Sequence, residues 1–158
     1  MSHSHKDLIE ETIEMATANV HAGTGGPFAA LIVKDGQVVG RGVNRVTSVN
    51  DPTAHAEVMA IRDACTNLAT YKLDGAVIYT SCEPCPMCLS AIYWARIGLI
   101  YYAAEHTDAA RAGFDDSFIY QEVRCSPRDR SVRAEQIDCQ HAFRPFQDWI
   151  ELDSKIEY

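Results

Sequence analysis

No stretch of this 158-residue chain approaches the length of apolar sequence that spans a bilayer. Its opening residues, Met1-Ser2-His3-Ser4-His5-Lys6, lack the apolar core of an export leader. Basic charge is also scarce: 14 Lys and Arg against 22 Asp and Glu leave a formal charge of −8 and a pI near 5.1. Because phosphate backbones are bound through Lys and Arg, this argues against a nucleic-acid partner and for a small neutral substrate. Six cysteines in a chain with neither leader nor anchor predict a reducing, cytoplasmic setting, with thiols free unless a metal binds them. His3 and His5 read as a solvated tip, not a metal site. No staple is needed, since a chain of this length removes roughly 70% of its unfolded surface from water, and its hydrophobic content of 47% can fill such a core.

What the chain does have is concentrated in two short stretches, Thr53-Ala54-His55-Ala56-Glu57 and Thr80-Ser81-Cys82-Glu83-Pro84-Cys85-Pro86-Met87-Cys88. Cys85 and Cys88 stand i, i+3, so on a helix starting at Pro84 both sulfurs leave one face of the first turn. Proline suits that turn, whose amides lack helical acceptors, and the positive end of the helix dipole favours the thiolate that binds a metal. His55 makes a third ligand for Zn2+ and leaves the fourth tetrahedral position to water, the arrangement of a catalytic zinc. Glu57 then serves as a carboxylate that does not ligate but moves the proton of that water. Residues two apart share no helix face, so His55 and Glu57 reach one metal only at a helix start. A thioredoxin-like redox pair does not require the upstream His-Ala-Glu. A structural zinc ribbon needs a second pair that Cys65, Cys82, Cys125 and Cys139 do not form.

Around these motifs the periodicity predicts an α/β fold. Leu8, Ile9, Ile13, Ala16 and Val20 recur at helical spacing over residues 7–22. Residues 28–33 and 37–43 flank Asp35-Gly36 as an antiparallel hairpin. The glycine run Gly23-Thr24-Gly25-Gly26-Pro27 follows a helix and lacks a P-loop lysine, so it reads as a turn that lets backbone approach the pocket. Residues 45–52 read as loop. The His55 helix should bury Val58, Ile61, Cys65 and Leu68. Strands at 76–79 and 99–102, with the Cys helix between them, imply a parallel right-handed crossover. The prediction is one domain, a three-layer α-β-α sandwich around a mixed five-stranded sheet with both metal-bearing helices on one face. Residues 126–130 read as a turn, 131–138 as the last strand and 144–158 as a closing helix.

The motif pairing His55/Glu57 with Pro84/Cys85/Cys88 resembles the cytidine deaminase superfamily. With Gly25-Gly26-Pro27-Phe28, Asp51-Pro52 and Phe114-Asp115-Asp116-Ser117-Phe118, the chain looks like the small bacterial guanine deaminases; the match covers residues 7–120 and resumes near Pro145. That resemblance implies Zn2+ on His55, Cys85 and Cys88, Glu57 as proton shuttle, and a purine held by Phe28, Asn44 and Ala54. It puts one of Asp115 and Asp116 against the leaving amine as a second catalytic group, Asp116 being the favoured one, although either aspartate can instead cap a helix at Ser117. It further implies a homodimer in which residues 142–158 cross over and Tyr158 completes the partner's pocket. His106 is a further pocket candidate. Rival readings are a guanosine or cytidine deaminase, a tRNA adenosine deaminase, and a noncatalytic zinc-stabilised module, which would have no use for Glu57.

Overall fold

The computed structural model describes residues 4–158, so His3 lies outside the described residues. The chain falls into two compact units, Met1–Ser117 and Phe118–Tyr158.

The first unit is built on a sheet in the order β2-β1-β3-β4, comprising β1 (Ala29–Lys34), β2 (Gln37–Val43), β3 (Val77–Cys82) and β4 (Leu99–Ala104). β1 is antiparallel to both neighbours and β3 is parallel to β4, so the sheet is mixed as expected. The β1–β2 turn is Asp35-Gly36, both at positive φ (51° and 75°), the left-handed pair that a two-residue hairpin requires. α4 (Pro86–Trp94) supplies the parallel crossover.

Side chains alternate across β1 and so build two cores. Ala30, Ile32 and Ile78 face α3 (Ala56–Leu68) and α4, whereas Leu31 and Tyr79 pack with Leu8 of α1 (His5–His21). The result is three layers with both motif-bearing helices on one face. α1 starts in a capping box in which Ser4 Oγ accepts from Asp7 N–H and Asp7 Oδ2 accepts from Ser4 N–H. His5 is the first residue of this helix and is not a solvated tip: its Nδ1 lies 2.7 Å from the Tyr79 hydroxyl.

The buried stripe of α3 differs from the expected one. Ala56, Ala60 and Ala64 are buried, Val58, Ile61 and Cys65 are half-buried, and Leu68 is exposed. The reason lies on β2, where glycines let the helix backbone sit directly on the strand. A Cβ on Gly42 would come 2.1 Å from Ala56 O, and one on Gly40 would come 2.5 Å from Ala60 O. Small faces small, and the larger apolar residues turn outward. Residues 45–52, expected to be loop, contain one helical turn, α2 (Val46–Val49).

Among the described residues the sheet has four strands, not five. Residues 131–138 stay irregular, with Val132 and Ile137 82% and 81% exposed, because Val132 and Ala134 are too little apolar surface to seat a strand. Ser131 is held locally instead, its N–H and hydroxyl both donating to Glu122 Oε2 at 2.7 and 2.6 Å. The first unit ends after α5 (His106–Arg111). α6 (Ser117–Glu122) leads into the second unit, whose α7 spans Arg144–Glu151 and stops short of the expected residue 158.

Gly42→Ala is expected to cost about 2 kcal/mol or more by forcing backbone apart, a fall in Tm of roughly 4–8 °C for a chain of this size. Gly98→Ala, where nothing lies within 4 Å, is the control. Equal melting of the two variants would show that the close approach is not under constraint.

Candidate metal centre and cavity

His55 and Cys85 share one structural position: each is the residue immediately before a helix, in extended backbone (φ −69°, ψ 156° and φ −64°, ψ 167°). Their carbonyls take up the first helical bonds, from Met59 N and Leu89 N at 2.9 and 2.8 Å. Their side chains are thereby free to turn toward each other between two helix N-termini. Pro86, not Pro84, fills the first turn of α4, and Cys88 follows two residues later. Glu57 is in the first turn of α3, which resolves how residues two apart serve one place.

His55 Nδ1 lies 3.6 Å from Cys85 Sγ and 3.6 Å from Cys88 Sγ. Bonds of ~2.05 Å to nitrogen and ~2.3 Å to sulfur at the tetrahedral angle put N and S about 3.55 Å apart, so the donors already have the spacing of a tetrahedral zinc shell. All three ligand atoms lie within 4.8 Å of one another. The Cys85 thiol is pulled down to a pKa of about 4, first by a hydrogen bond from the Cys88 thiol and then by His55. Cys88 is pushed up as the partner that keeps its proton. His55 is raised by its hydrogen bond to Cys85. Cys82 stands apart from this group: buried, with its pKa raised to about 11 by desolvation, it is a packed neutral thiol with Sγ 3.6 Å from Glu105 O.

Glu57 is 8% exposed, and burial raises its carboxyl pKa, with the charge on Cys85 adding to the effect. It opens with His55 and Cys85 onto a cavity of about 400 Å3, within the usual range for small-molecule sites. Phe28 and Phe114 meet on its wall edge to face, centroids 5.0 Å apart. Asn44 is buried on the same wall. Its Oδ1 accepts from Gly26 N–H at 3.1 Å and Val46 N–H at 3.3 Å, which makes Nδ2 the donor it can offer a ligand. Gly25 permits this contact, since a Cβ there would fall 2.0 Å from Asn44 O.

The two aspartates separate clearly. Asp115 is exposed and caps Ser117, Oδ1 to N–H 2.9 Å, which lowers its pKa; Asp116 is half-buried and raised by desolvation and the nearby Cys85. Both line the cavity. Ala54 is fully buried and lies next to the ligand histidine, but it is not part of the cavity lining. Tyr158 belongs to the second unit and is exposed. At the rim His106 Nδ1 pairs with Glu83 Oε2 at 2.9 Å. Phe114 and Glu83 carry no spacing signal of their own; only their place inside the matched stretches marks them.

Residues 2–104 match the family described as the cytidine and deoxycytidylate deaminase zinc-binding region. The chain is 53% identical over 155 residues to the guanine deaminase of Bacillus subtilis, covering 98% of this chain and 99% of that protein. The X-ray structure of guanine deaminase from Bacillus subtilis superposes with a TM-score of 0.97 at 52% identity, over 99% of each chain. The tRNA-specific adenosine deaminase of Agrobacterium fabrum is 44% identical over 103 residues, 62% of this chain and 68% of that protein.

Elemental analysis of the purified chain is expected to find about one equivalent of divalent metal, as one three-donor group provides. Cys88→Ala should lose it and Cys82→Ser should keep it. Loss of metal from the Cys82 variant would mean that the donor set is wrong.

Proposed function

The chain belongs to the cytidine and deoxycytidylate deaminase zinc-binding family, and we propose that its reaction is the hydrolysis of guanine to xanthine and ammonia at a zinc held by His55, Cys85 and Cys88. The observation that carries this reading is the buried Glu57 opening, beside the three-donor group, onto a cavity with an aromatic wall. Zinc bound there supplies an electrophile and a water of lowered pKa.

The chain's own groups do the rest. Glu57, held by burial at a pKa above the ordinary carboxylate range, takes a proton from water and passes it to the ring nitrogen next to C2. Water oxygen bonds to C2; Glu57 or Asp116 then takes the remaining proton of that oxygen and delivers it to the amine, so that the C2–N bond breaks, the oxygen is left as a carbonyl and ammonia departs. Asp116 suits this better than Asp115 because it is half-buried and its carboxyl is raised, whereas Asp115 is occupied at Ser117. Phe28 and Phe114 hold the flat base and exclude water. Asn44 Nδ2 donates to a purine acceptor, whereas Ala54, outside the cavity lining, adds only buried packing next to His55. The resemblance to the guanine deaminase extends over nearly the whole chain, and that to the tRNA deaminase over 62% of it, which favours the free base over a tRNA. With a net charge of −8, the preference is for a neutral heterocycle and not a polyanion.

The protein works as a cytoplasmic homodimer, each chain acting as one functional domain whose residues 142–158 cross to the partner, where Tyr158 closes the pocket. Support comes from the second unit itself, which has no buried residue and exposes Phe143, Phe146, Trp149, Ile150 and Ile156. Among the described residues no helix is long and apolar enough to cross a membrane.

Ammonia release should be greatest with guanine in a set that includes guanosine, cytidine, adenine and a tRNA anticodon stem; faster turnover of any other member overturns the substrate. Glu57→Gln is expected to keep the metal and lose activity by about 100-fold or more, and undiminished turnover removes Glu57 from the chemistry. Asp116→Asn should lower kcat well beyond Asp115→Asn; the reverse order would exchange their roles. Mixing Glu57→Gln chains with chains lacking Tyr158, each inactive alone, should restore about a quarter of wild-type activity, because half of randomly mixed dimers then hold one intact site. No recovery refutes the crossover.

A further inference from the structure

We propose that Asn19, a buried residue of α1, is a positioning residue for substrate binding: it holds Asn44 and the glycine turn so that the Asn44 donor and the Phe28 ring stand ready in the cavity. This rests on the function proposed above and adds a residue from the layer of the sandwich opposite the metal.

Asn19 is 5% exposed, and its carboxamide is used at both ends. Nδ2 donates to Gly26 O and to Asn44 O, each at 2.9 Å, and Oδ1 accepts from the Thr24 hydroxyl at 2.5 Å. Its backbone O also accepts from Thr24 N–H at 3.3 Å. An amide nitrogen has two hydrogens, and here both go to carbonyls of the cavity wall. The segment they hold is the one that carries the binding groups. Asn44 N–H donates to Phe28 O at 3.0 Å, Phe28 N–H donates to Gly26 O at 2.9 Å, and Asn44 Oδ1 receives Gly26 N–H. Two strands of backbone are thus laced together, and Asn19 ties both to the helix beneath. A side chain without donors at position 19 would leave the Asn44 and Gly26 carbonyls without their buried partner and let residue 44 shift relative to Phe28. The three candidate metal donors lie at the starts of α3 and α4 and do not bond to Asn19, so the loss should fall on binding and not on the chemical step.

The test is steady-state kinetics of Asn19→Leu, which keeps the branched shape and removes the hydrogen bonds, together with equilibrium binding of xanthine by calorimetry. Losing two buried hydrogen bonds is expected to raise the KM for guanine about tenfold or more and to weaken xanthine binding by a similar factor. Metal content should be unchanged and kcat should stay within about threefold. In an Asn44→Ala background the further rise should shrink to under about threefold, since the donor that Asn19 positions is gone. If Asn19→Leu does not fold, Asn19→Ser takes its place with the same expected split. Unchanged KM and xanthine affinity in a folded variant overturn the proposal, as does a fall in kcat at constant KM, or a full additive effect on top of Asn44→Ala. Failure of the functional reading looks different: the wild type then releases no ammonia from guanine. In that event the same variants are compared on whichever base or nucleoside the wild type deaminates, where the same rise in KM is required because Asn44 lines the cavity for any occupant.

Discussion

The structure depends on one juxtaposition: two helices begin side by side on one face of the sheet, and the residue just ahead of each start contributes a side chain able to hold a metal. Helix starts have unused amide donors and a partial positive charge, both of which stabilise thiolate and carboxylate. His55 and Cys85 occupy that position because their extended backbone turns the side chain out of the helix while the carbonyl begins it. The sheet enforces the meeting. α3 lies flat on β2 through the Ala56/Ala60/Ala64 and Gly40/Gly42 contact, and α4 follows β3 by a parallel crossover, so neither helix start is free to drift. Three donors 3.6 Å apart across nitrogen and sulfur are the outcome.

The cavity beside them is held by a different kind of interaction. Its metal side is positioned by helix packing, whereas its substrate side is positioned by hydrogen bonds between side chain and backbone, centred on Asn44 and reaching through Asn19 to α1. Packing places whole elements; directed bonds set which atom of a carboxamide faces the void. Burial then differentiates groups of like type. Glu57 and Asp116 are raised while Asp115 is lowered, and Cys85 is lowered while Cys82 is raised, each by its surroundings and not by its identity. A thiol able to ligate a metal and a neutral packed thiol three residues apart can coexist for this reason.

Much of this was legible in the chain. The hairpin at Asp35-Gly36, the parallel crossover between β3 and β4, the three layers and the grouping of His55, Cys85 and Cys88 follow from local patterns, because turn chemistry, hydrophobic period and ligand spacing are short-range properties. The misreadings share a cause. Helical spacing puts Leu68 in one stripe with Val58, Ile61 and Cys65, yet the alanine stripe buries better against a glycine-bearing strand, and that preference is visible only when both partners are known. The strand expected at residues 131–138 does not form, since the two alternating apolar residues there are too few to bury a face. The terminal position of His5 suggests a solvated tip, and its partner Tyr79, 74 positions away, is not visible locally.

The sequence alone determined the chemistry on offer: three metal donors, a neighbouring carboxylate, an acidic chain and helix starts at the two motifs, all set by residues within a few positions of one another. Tertiary structure alone decided which of two adjacent aspartates has a raised carboxyl beside the cavity, which end of the Asn44 carboxamide faces away from its backbone partners, that Phe114 lines the cavity, and that Asn19 bonds to its wall. Those outcomes depend on burial and on bonds between distant segments, and neither quantity exists until the chain has folded.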